Sequence, residues 1–485
     1  MNEYVFPKES VLQAMQTSLP EETAQFGSKP PEVRFLYLPR AHARALQPDS
    51  MVVEGMRGAG KSLWWAALQS EPHRKVLARH LPQSQVTEQT VVSAGFGEGS
   101  KPASYPGKDT LQNLSTKFDP RIIWRTVVAW HTFGRQANMP ESSWDDRARW
   151  VDTNPERVEA EFFKVDQELS RLGKKHLILF DALDRTADDW PSLRKLTRGL
   201  LQILLELRSF KAIRAKAFLR PDILEDPQVL AFPDASKITA NKVTLTWPRA
   251  ELYSLFWQYL GNANEGSEGF RQSCVEGFKQ KWVIEDEVWI IPNEMRNDEN
   301  LQRSIFHAIA GPWMGRDQRR GFPYTWLPNH LGDAHVQTSP RSFLAALRES
   351  AKDRLRSDYS YAIHYEAIKR GVQEASRIRV NEIKEDYPWV ALVIEPLGGL
   401  VVPCTFDEIK NRWQQEHTVD KLNNQNEATE VRLPPSRLDK GEDGLISDLV
   451  SLGIFQVMQN SRINMPDVYR VGFQLKRRGG VKPVR

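Results

Sequence analysis

The sequence predicts an α/β fold in which a parallel sheet flanked by helices is followed by a helical domain and then by a domain of short strands and helices. Three changes of pattern support this prediction. Short apolar runs alternate with helical segments up to residue 260, strand patterns disappear from 261 to 379, and short strands return from residue 380. Alternating strands and helices are typical of a parallel sheet covered by helices.

The composition is that of an ordinary globular protein. The 485 residues are 40% hydrophobic and 26% charged, which argues against disorder, collagen-like sequence and a coiled-coil rod. At about 150 residues per domain, roughly three domains are expected. Lysine and arginine exceed the acids by 66 to 62, and a net charge of +4 is too small to indicate nucleic-acid binding by the whole chain.

Targeting and cysteine patterns favour a cytoplasmic protein. The N-terminal residues show no basic stretch followed by an apolar run, and no run approaches 18 apolar residues, so neither a signal peptide nor a membrane anchor is expected. Cys274 and Cys404 have no paired spacing that would indicate structural zinc or a disulfide framework.

Five apolar runs are predicted as strands. They are FLYLP and MVVE before residue 55, HLILF before Asp181, AKAFL before Arg220, and KVTLTW after Asn241. HLILF is short, apolar and bounded by charge, as expected for a strand buried on both faces. The stretch SAGFGEGSKPASYPGKD, residues 93–109, is rich in glycine, serine and proline and is predicted as a loop.

The C-terminal region is predicted as helices followed by a wing. The run WVALVI is predicted as a strand, NNQNEATE as a polar loop, and a helix at 444–452 followed by the hairpin-like IFQVMQNSRINM has the order of a winged-helix domain. The predicted domains are an N-terminal extension over 1–32, a sheet domain over 33–260 with an insertion near 91–153, a helical lid over 261–379, and a winged-helix-like domain over 380–485. The tail after residue 470 carries five basic residues and no acid: Lys476, Arg477, Arg478, Lys482 and Arg485.

The segment GMRGAGKS, residues 55–62, matches the phosphate-binding P-loop pattern G-x-x-x-x-G-K-[ST] in full. In this pattern backbone amides surround a phosphate, Lys61 reaches the terminal phosphates, and Ser62 ligates Mg²⁺. ATP and Mg²⁺ are therefore the expected ligands. The residues expected to bind the nucleotide are Gly55, Arg57, Gly58, Ala59, Gly60, Lys61, Ser62 and Leu63, together with Arg341 from a later helix.

A P-loop needs an acid at the end of a neighbouring strand as a second Mg²⁺ anchor. Asp181, directly after HLILF, is predicted in that role, and Asp184 is predicted to orient or deprotonate the attacking water. Arg220 ends the next strand and could sense a γ-phosphate, with a salt bridge to a loop acid as the alternative. Arg341, at the start of an apolar helix, could couple the nucleotide to domain closure or could be a plain surface arginine.

These motifs resemble the STAND branch of AAA+-related ATPases, which includes NACHT and NB-ARC proteins. The resemblance rests on GMRGAGKS, on LILFDALDR and on the strand ending in FLR. It implies a sensor 1 role for Arg220, a sensor 2 role for Arg341, and a helical lid followed by a winged helix. Arg185 stands where the family has a glutamate, which puts the water-activating group in doubt and favours slow hydrolysis.

Three functions are compatible with these motifs. The first is a Mg²⁺-dependent ATPase switch that acts as a homo-oligomer or with a separate effector protein, for example in antiphage defence. The second is a DNA-binding or DNA-loading ATPase that uses the winged region and the basic tail. The third, a phosphotransferase, fits the C-terminal half less well. The basic stretch GRDQRRG, residues 315–321, is either a trans-acting arginine site, a phosphate contact or a solvated loop.

Overall fold

The computed structural model describes residues 4–21, 29–352, 359–427, 432–478 and 481. These residues form two compact units. The sheet unit contains residues 29–33 and 38–246, and the helical unit contains residues 4–21, 34–37 and 247–481. Lys482 and Arg485 of the predicted basic tail lie outside the described residues.

The strands are β1 Val52–Glu54, β2 Thr90–Phe96, β3 Lys175–Phe180, β4 Ile213–Leu219, β5 Val243–Thr244, β6 Val283–Glu285, β7 Val288–Ile290, β8 Gln456–Val457 and β9 Ile463–Asn464. The helices are α1 Lys8–Ser18, α2 Ala43–Leu46, α3 Lys61–Gln69, α4 Glu71–His80, α5 Lys108–Ser115, α6 Pro120–Thr132, α7 Trp144–Thr153, α8 Pro155–Arg171, α9 Trp190–Glu206, α10 Pro221–Leu224, α11 Ala235–Asn241, α12 Arg249–Gly261, α13 Ser267–Phe278, α14 Asn293–Asn297, α15 Glu299–Ala310, α16 Pro323–Leu331, α17 Pro340–Lys352, α18 Tyr365–Asp386, α19 Pro388–Ile394, α20 Phe406–Gln415, α21 Thr418–Glu427, α22 Gly441–Ser451 and α23 Asp467–Arg470.

The sheet unit is built on five parallel strands in the order β2-β3-β4-β1-β5. The central strand β4 is almost entirely buried, as is β3, because helices connect each strand to the next. Glu54 pairs with Leu219 and Phe180 pairs with Ala217, so β1, β3 and β4 end at the same edge. The segments that follow these three strands therefore meet there.

The helical unit is built around a continuous apolar core. Helix α1 packs against α12, α13 and α17, and its residues Val11, Ala14 and Met15 are fully buried in that core. Gly266 and Gly269 lie against Ser10, so the helix approaches closely where glycine leaves room. The N-terminal residues of the chain thus belong to the same core as its C-terminal half.

The C-terminal part of the helical unit has the element order of a winged helix. Helix α19 is followed by an extended residue, Cys404, then by α20, α21 and α22, and then by the antiparallel hairpin β8–β9. Cys404 pairs with Ile463 of β9, which adds a third strand position to the wing. The predicted fold class is thereby confirmed: a helix-flanked parallel sheet, a helical region and a winged-helix-like part.

Several local predictions were wrong. FLYLP forms no strand: Phe35 ends a 3₁₀ turn that begins at Val33, and the next four residues have no regular secondary structure. WVALVI forms helix α19, because Pro388 starts a helix whose apolar residues enter the core. The first four residues of the predicted loop at 93–109 belong to β2, and part of the predicted polar loop NNQNEATE lies in α21. The helical region also contains one hairpin, β6–β7. The predicted domain boundaries and the insertion near 91–153, which begins inside β2, stay predictions.

Within the described residues, no helix has both the length and the apolar character needed to cross a bilayer.

Candidate functional site

The P-loop connects the end of β1 to the start of α3. Gly58 and Gly60 adopt positive φ angles of 78° and 101°, a backbone region that other residues enter only with strain. The Gly55 amide donates to the Leu219 carbonyl of β4, which holds the start of the loop against the neighbouring strand. The sequence therefore folds here into a strand, a glycine turn and a helix N-terminus, the geometry that binds phosphate.

Lys61 lies inside the loop. Its ammonium donates to the carbonyls of Gly55 at 2.5 Å and Met56 at 3.0 Å. Removal of the ammonium from water lowers its pKa to about 8, although the carboxylates of Asp181 and Asp184 act in the opposite direction. The side chain is thus held at the loop as a cation that a nearby anion would stabilise further.

Asp181 follows β3 and is 3% exposed. Burial raises the pKa of its carboxyl, while a hydrogen bond from the Ser62 hydroxyl and the charge of Lys61 lower it. A hydroxyl and a carboxylate side by side are ligands that Mg²⁺ uses in nucleotide sites. The described residues contain no group of three His, Cys, Asp or Glu side chains that could hold a metal, so a cation here would need further oxygens from phosphate and water.

Arg220 follows β4 and has two acidic partners. Its guanidinium donates to Asp222 through Nε at 3.2 Å and Nη2 at 3.0 Å, and it lies 3.5 Å from Asp184. Burial raises the pKa of Asp222, and the charge of Arg220 lowers it. The sequence indicated Arg220 and Asp184 but missed Asp222, although an acid two residues after a strand-ending arginine was a visible signal.

The turn after Asp181 carries Arg185, which forms an ion pair with Glu98. Ala182 has a φ of 55°, and the 3₁₀ turn Leu183–Arg185 follows. Arg185 lies 2.7 Å from Glu98, which comes two residues after the end of β2. Sequence reasoning missed Glu98 because only the strand order brings β2 beside β3. The structure therefore adds a further carboxylate, that of Glu98, at this edge of the sheet.

A further ion pair, between Glu54 and Lys242, lies directly before the P-loop. Glu54, the last residue of β1, is 5% exposed and accepts from Lys242 at 2.7 Å and from Thr244 at 2.9 Å. Both donors come from the β5 side of the sheet. The pair neutralises a buried carboxylate next to the phosphate loop, and sequence reasoning missed it because these residues are about 190 positions apart.

The other residues predicted to bind the nucleotide lie in the P-loop, in helix α3 or in the helical unit. Leu63 lies in the first turn of α3, and Arg57, Gly58 and Ala59 lie in the loop itself. Arg341 belongs to the helical unit, where it pairs with Glu382 of α18. The sequence-predicted residues Gly55–Ser62, Asp181, Asp184 and Arg220 are thus brought together in the sheet unit, and with Asp222 they are called the P-loop edge below.

The sheet order with a P-loop after β1 and an acid after β3 defines a P-loop nucleotide-binding fold. No family model matches the sequence, and no curated protein matches it. Among solved structures, the chain is similar to the Orc1 protein of Aeropyrum pernix in complex with DNA (15% identity, TM-score 0.34, covering 98% of this chain and 97% of that one). It is also similar to the ORC2 protein of the same organism in ADPNP–ADP complexes (13%, 0.31, 95% and 94%) and to a Walker-type ATPase of Pyrococcus abyssi (13%, 0.37, 91% and 97%). These similarities are too distant to assign the chain to a family.

Proposed function

We propose that this protein is a Mg²⁺-dependent ATPase that works as a slow nucleotide switch. The observation that supports it is the P-loop edge, where Lys61, Ser62 and Asp181 lie together beside Arg220. Three cationic or donor groups and one buried carboxylate in this order form a site for a phosphate chain with a divalent cation.

The chain's own residues have distinct tasks in this proposal. The loop amides and Lys61 bind the phosphates, and Ser62 and Asp181 would hold Mg²⁺, which neutralises phosphate charge when bound. Asp184 orients the attacking water or accepts its proton. Arg220 senses the terminal phosphate, since its guanidinium lies at the end of β4 within 3.5 Å of Asp184.

Slow hydrolysis follows from the acids that this edge contains. Asp184 already faces Arg220, and Arg185 occupies the position where the resembled family has a glutamate. A carboxylate that already contacts a guanidinium has fewer free acceptor positions for orienting a water. ATP is therefore expected to stay bound long enough to hold a distinct conformation.

The finer parts of this proposal rest on the resemblance to STAND ATPases. They are a sensor 2 role for Arg341, assembly as a homo-oligomer or with a separate effector, a cytoplasmic location and a defence setting. Arg341 pairs with Glu382 of α18, and in the proposed switch it exchanges this partner for the nucleotide. Its test is the affinity for a fluorescent ATP analogue in Arg341→Ala.

Steady-state ATP hydrolysis tests the proposed activity. The wild-type protein should form ADP slowly in the presence of Mg²⁺, and Lys61→Ala should lose ATP binding and hydrolysis together. The measurement is repeated with duplex DNA. Hydrolysis by Lys61→Ala at the wild-type rate would show that a contaminant or another site is responsible.

A DNA-binding or DNA-loading ATPase is the second candidate. Lys476 and Arg478 are exposed in the winged-helix-like part, which favours contact with phosphates. However, Arg477 is paired with Asp467, and α22, the helix before the wing, presents Glu442 and Asp443. Stimulation of hydrolysis by duplex DNA, lost in Lys476→Ala/Arg478→Ala, would favour this candidate over the switch.

A further inference from the structure

The loop between α15 and α16 carries three exposed arginines within five residues. Arg316, Arg319 and Arg320 are all exposed, and within the described part of the chain none of them forms an ion pair. We call residues 315–321 the arginine turn. The DNA-binding alternative above uses a different surface, so the turn has no role in it.

The arginine turn has a fixed backbone. Asp317 accepts from the Arg319 amide at 2.9 Å, and the Met314 amide donates to the Gly321 carbonyl at 2.8 Å. Gly321 adopts a φ of 88°, which closes the turn. The single acid in the turn is therefore engaged with the backbone, and three guanidinium groups project from a preformed scaffold.

Aromatic side chains border the turn. Trp313 and Phe322 lie on either side of it with ring centroids 5.2 Å apart, and Trp326 is near Gly321. All three are only half-buried. Arg303 lies 3.8 Å above the Phe322 ring, His307 stacks on that ring, and His330 stacks on Trp326 with ring centroids 3.8 Å apart. Among the described residues no ring stacks on Trp313, so Trp313 is the ring best placed to receive a base.

We propose that the arginine turn and its aromatic border bind single-stranded nucleic acid. Guanidinium groups match phosphate oxygens two at a time, and half-exposed aromatic rings stack on unpaired bases. A paired duplex would offer the phosphates but not the base faces. An acidic peptide would offer charge alone, without a stacking partner for Trp313.

Fluorescence anisotropy with a labelled oligothymidylate of about 12 nucleotides tests the proposal. Salt is varied from about 50 to about 200 mM, since each lost phosphate contact lowers the slope of log K against log salt by about 0.7 for a single strand. The variant Arg316→Ala/Arg319→Ala/Arg320→Ala should lower that slope by about 2 and weaken binding more than tenfold. Trp313→Leu should weaken binding several-fold without changing the slope, because stacking releases no counterions.

The matched control is Arg171→Ala/Arg208→Ala/Lys211→Ala, which removes the same charge from exposed positions of the sheet unit. It should bind the oligonucleotide like the wild type. Thermal melting and binding of a fluorescent ATP analogue check that every variant is folded. Because thermal melting requires neither ATP nor the oligonucleotide, failure of the ATPase proposal leaves this test intact.

Three results would overturn the proposal. The first is unchanged oligonucleotide binding in the triple arginine variant, and the second is loss of binding in Lys476→Ala/Arg478→Ala alone, which would locate the site in the winged part. The third is displacement of the oligonucleotide by polyglutamate as efficiently as by unlabelled oligothymidylate, which would show a general polyanion surface.

Discussion

The P-loop edge and the arginine turn both present cations, but they hold them in opposite ways. At the P-loop edge, Lys61 donates to two loop carbonyls and Arg220, with an 11% exposed side chain, contacts two carboxylates. In the arginine turn, three guanidinium groups are exposed and have no acidic partner among the described residues. The first arrangement selects one ligand geometry, whereas the second attracts any chain of phosphates that its neighbouring rings can also contact.

This difference predicts how each region responds to change. An enclosed charge is coupled to its neighbours through a low dielectric, so a single substitution alters orientation, pKa and activity together. An exposed charge is screened by salt and acts nearly alone. The following predictions test this contrast, from the largest expected effect to the smallest.

Asp181→Asn should reduce ATP hydrolysis by about 100-fold or more, because the carboxylate would hold the cation that neutralises the phosphates. The fold should persist, since burial already raises the pKa of this carboxyl and a neutral amide fits the same space. ADP formation and thermal melting are measured side by side. Hydrolysis near the wild-type rate would remove Asp181 from the proposed metal site.

Nucleotide affinity should fall about tenfold between pH 7.5 and pH 9. In the free protein the pKa of Lys61 is about 8, and a bound phosphate favours the charged form. Binding therefore takes up a proton above pH 8 and weakens as pH rises. Titration with a fluorescent ATP analogue at several pH values measures this effect.

Oligonucleotide binding provides the contrast for that titration. Guanidinium groups do not deprotonate in proteins, so the affinity of the arginine turn for oligothymidylate should not change. If the affinities for the ATP analogue and for oligothymidylate fell equally with rising pH, the proposed difference between enclosed and exposed cations would be wrong.

Asp222→Asn should lower the rate of hydrolysis by roughly fivefold to tenfold and change the KM for ATP less. Asp222 receives two hydrogen bonds from Arg220, and charge-assisted bonds of this kind contribute about 1.5–3 kcal/mol each to stability. Without them the Arg220 guanidinium is oriented less tightly, although Asp184 still lies 3.5 Å away. Steady-state kinetics separates the two constants, and a pure KM effect would indicate a binding role for Arg220.

Glu98→Gln should have the smallest effect. The Arg185 and Glu98 side chains are 52% and 40% exposed, and exposed pairs contribute about 0–1 kcal/mol. Stability and ATP affinity should therefore stay near the wild-type values, and hydrolysis should change less than threefold. A loss of hydrolysis with intact binding would instead identify Glu98 as the acid that activates water.

The sequence was sufficient for those parts of the site that are encoded locally. The P-loop, Asp181 and Arg220 each follow a strand, and the pattern of strand, turn and helix is contained within a few residues. MVVE, HLILF and AKAFL were predicted correctly because apolar runs of this length, bounded by glycine or charge, form buried strands.

The features that the sequence did not predict depend on residues that are distant in the chain and close in the fold. WVALVI has the composition of a strand, yet the proline before it and the core around it select a helix. Glu98 and Lys242 became visible as site residues only once the strand order had placed β2 beside β3 and β5 beside β1. Short apolar runs and distant ion pairs are the features for which local pattern carries the least information.

The position of α1 has a consequence for synthesis. About 230 residues separate this helix from α12, its first packing partner along the chain. At roughly 5–20 residues per second, the ribosome needs on the order of 10–50 s to reach α12, and α13 and α17 come later still. During that time the sheet unit is being synthesised, and the apolar face of α1 has no packing partner. A ribosome-arrested chain ending at residue 246 should therefore be cut by protease within α1, where the finished protein is protected.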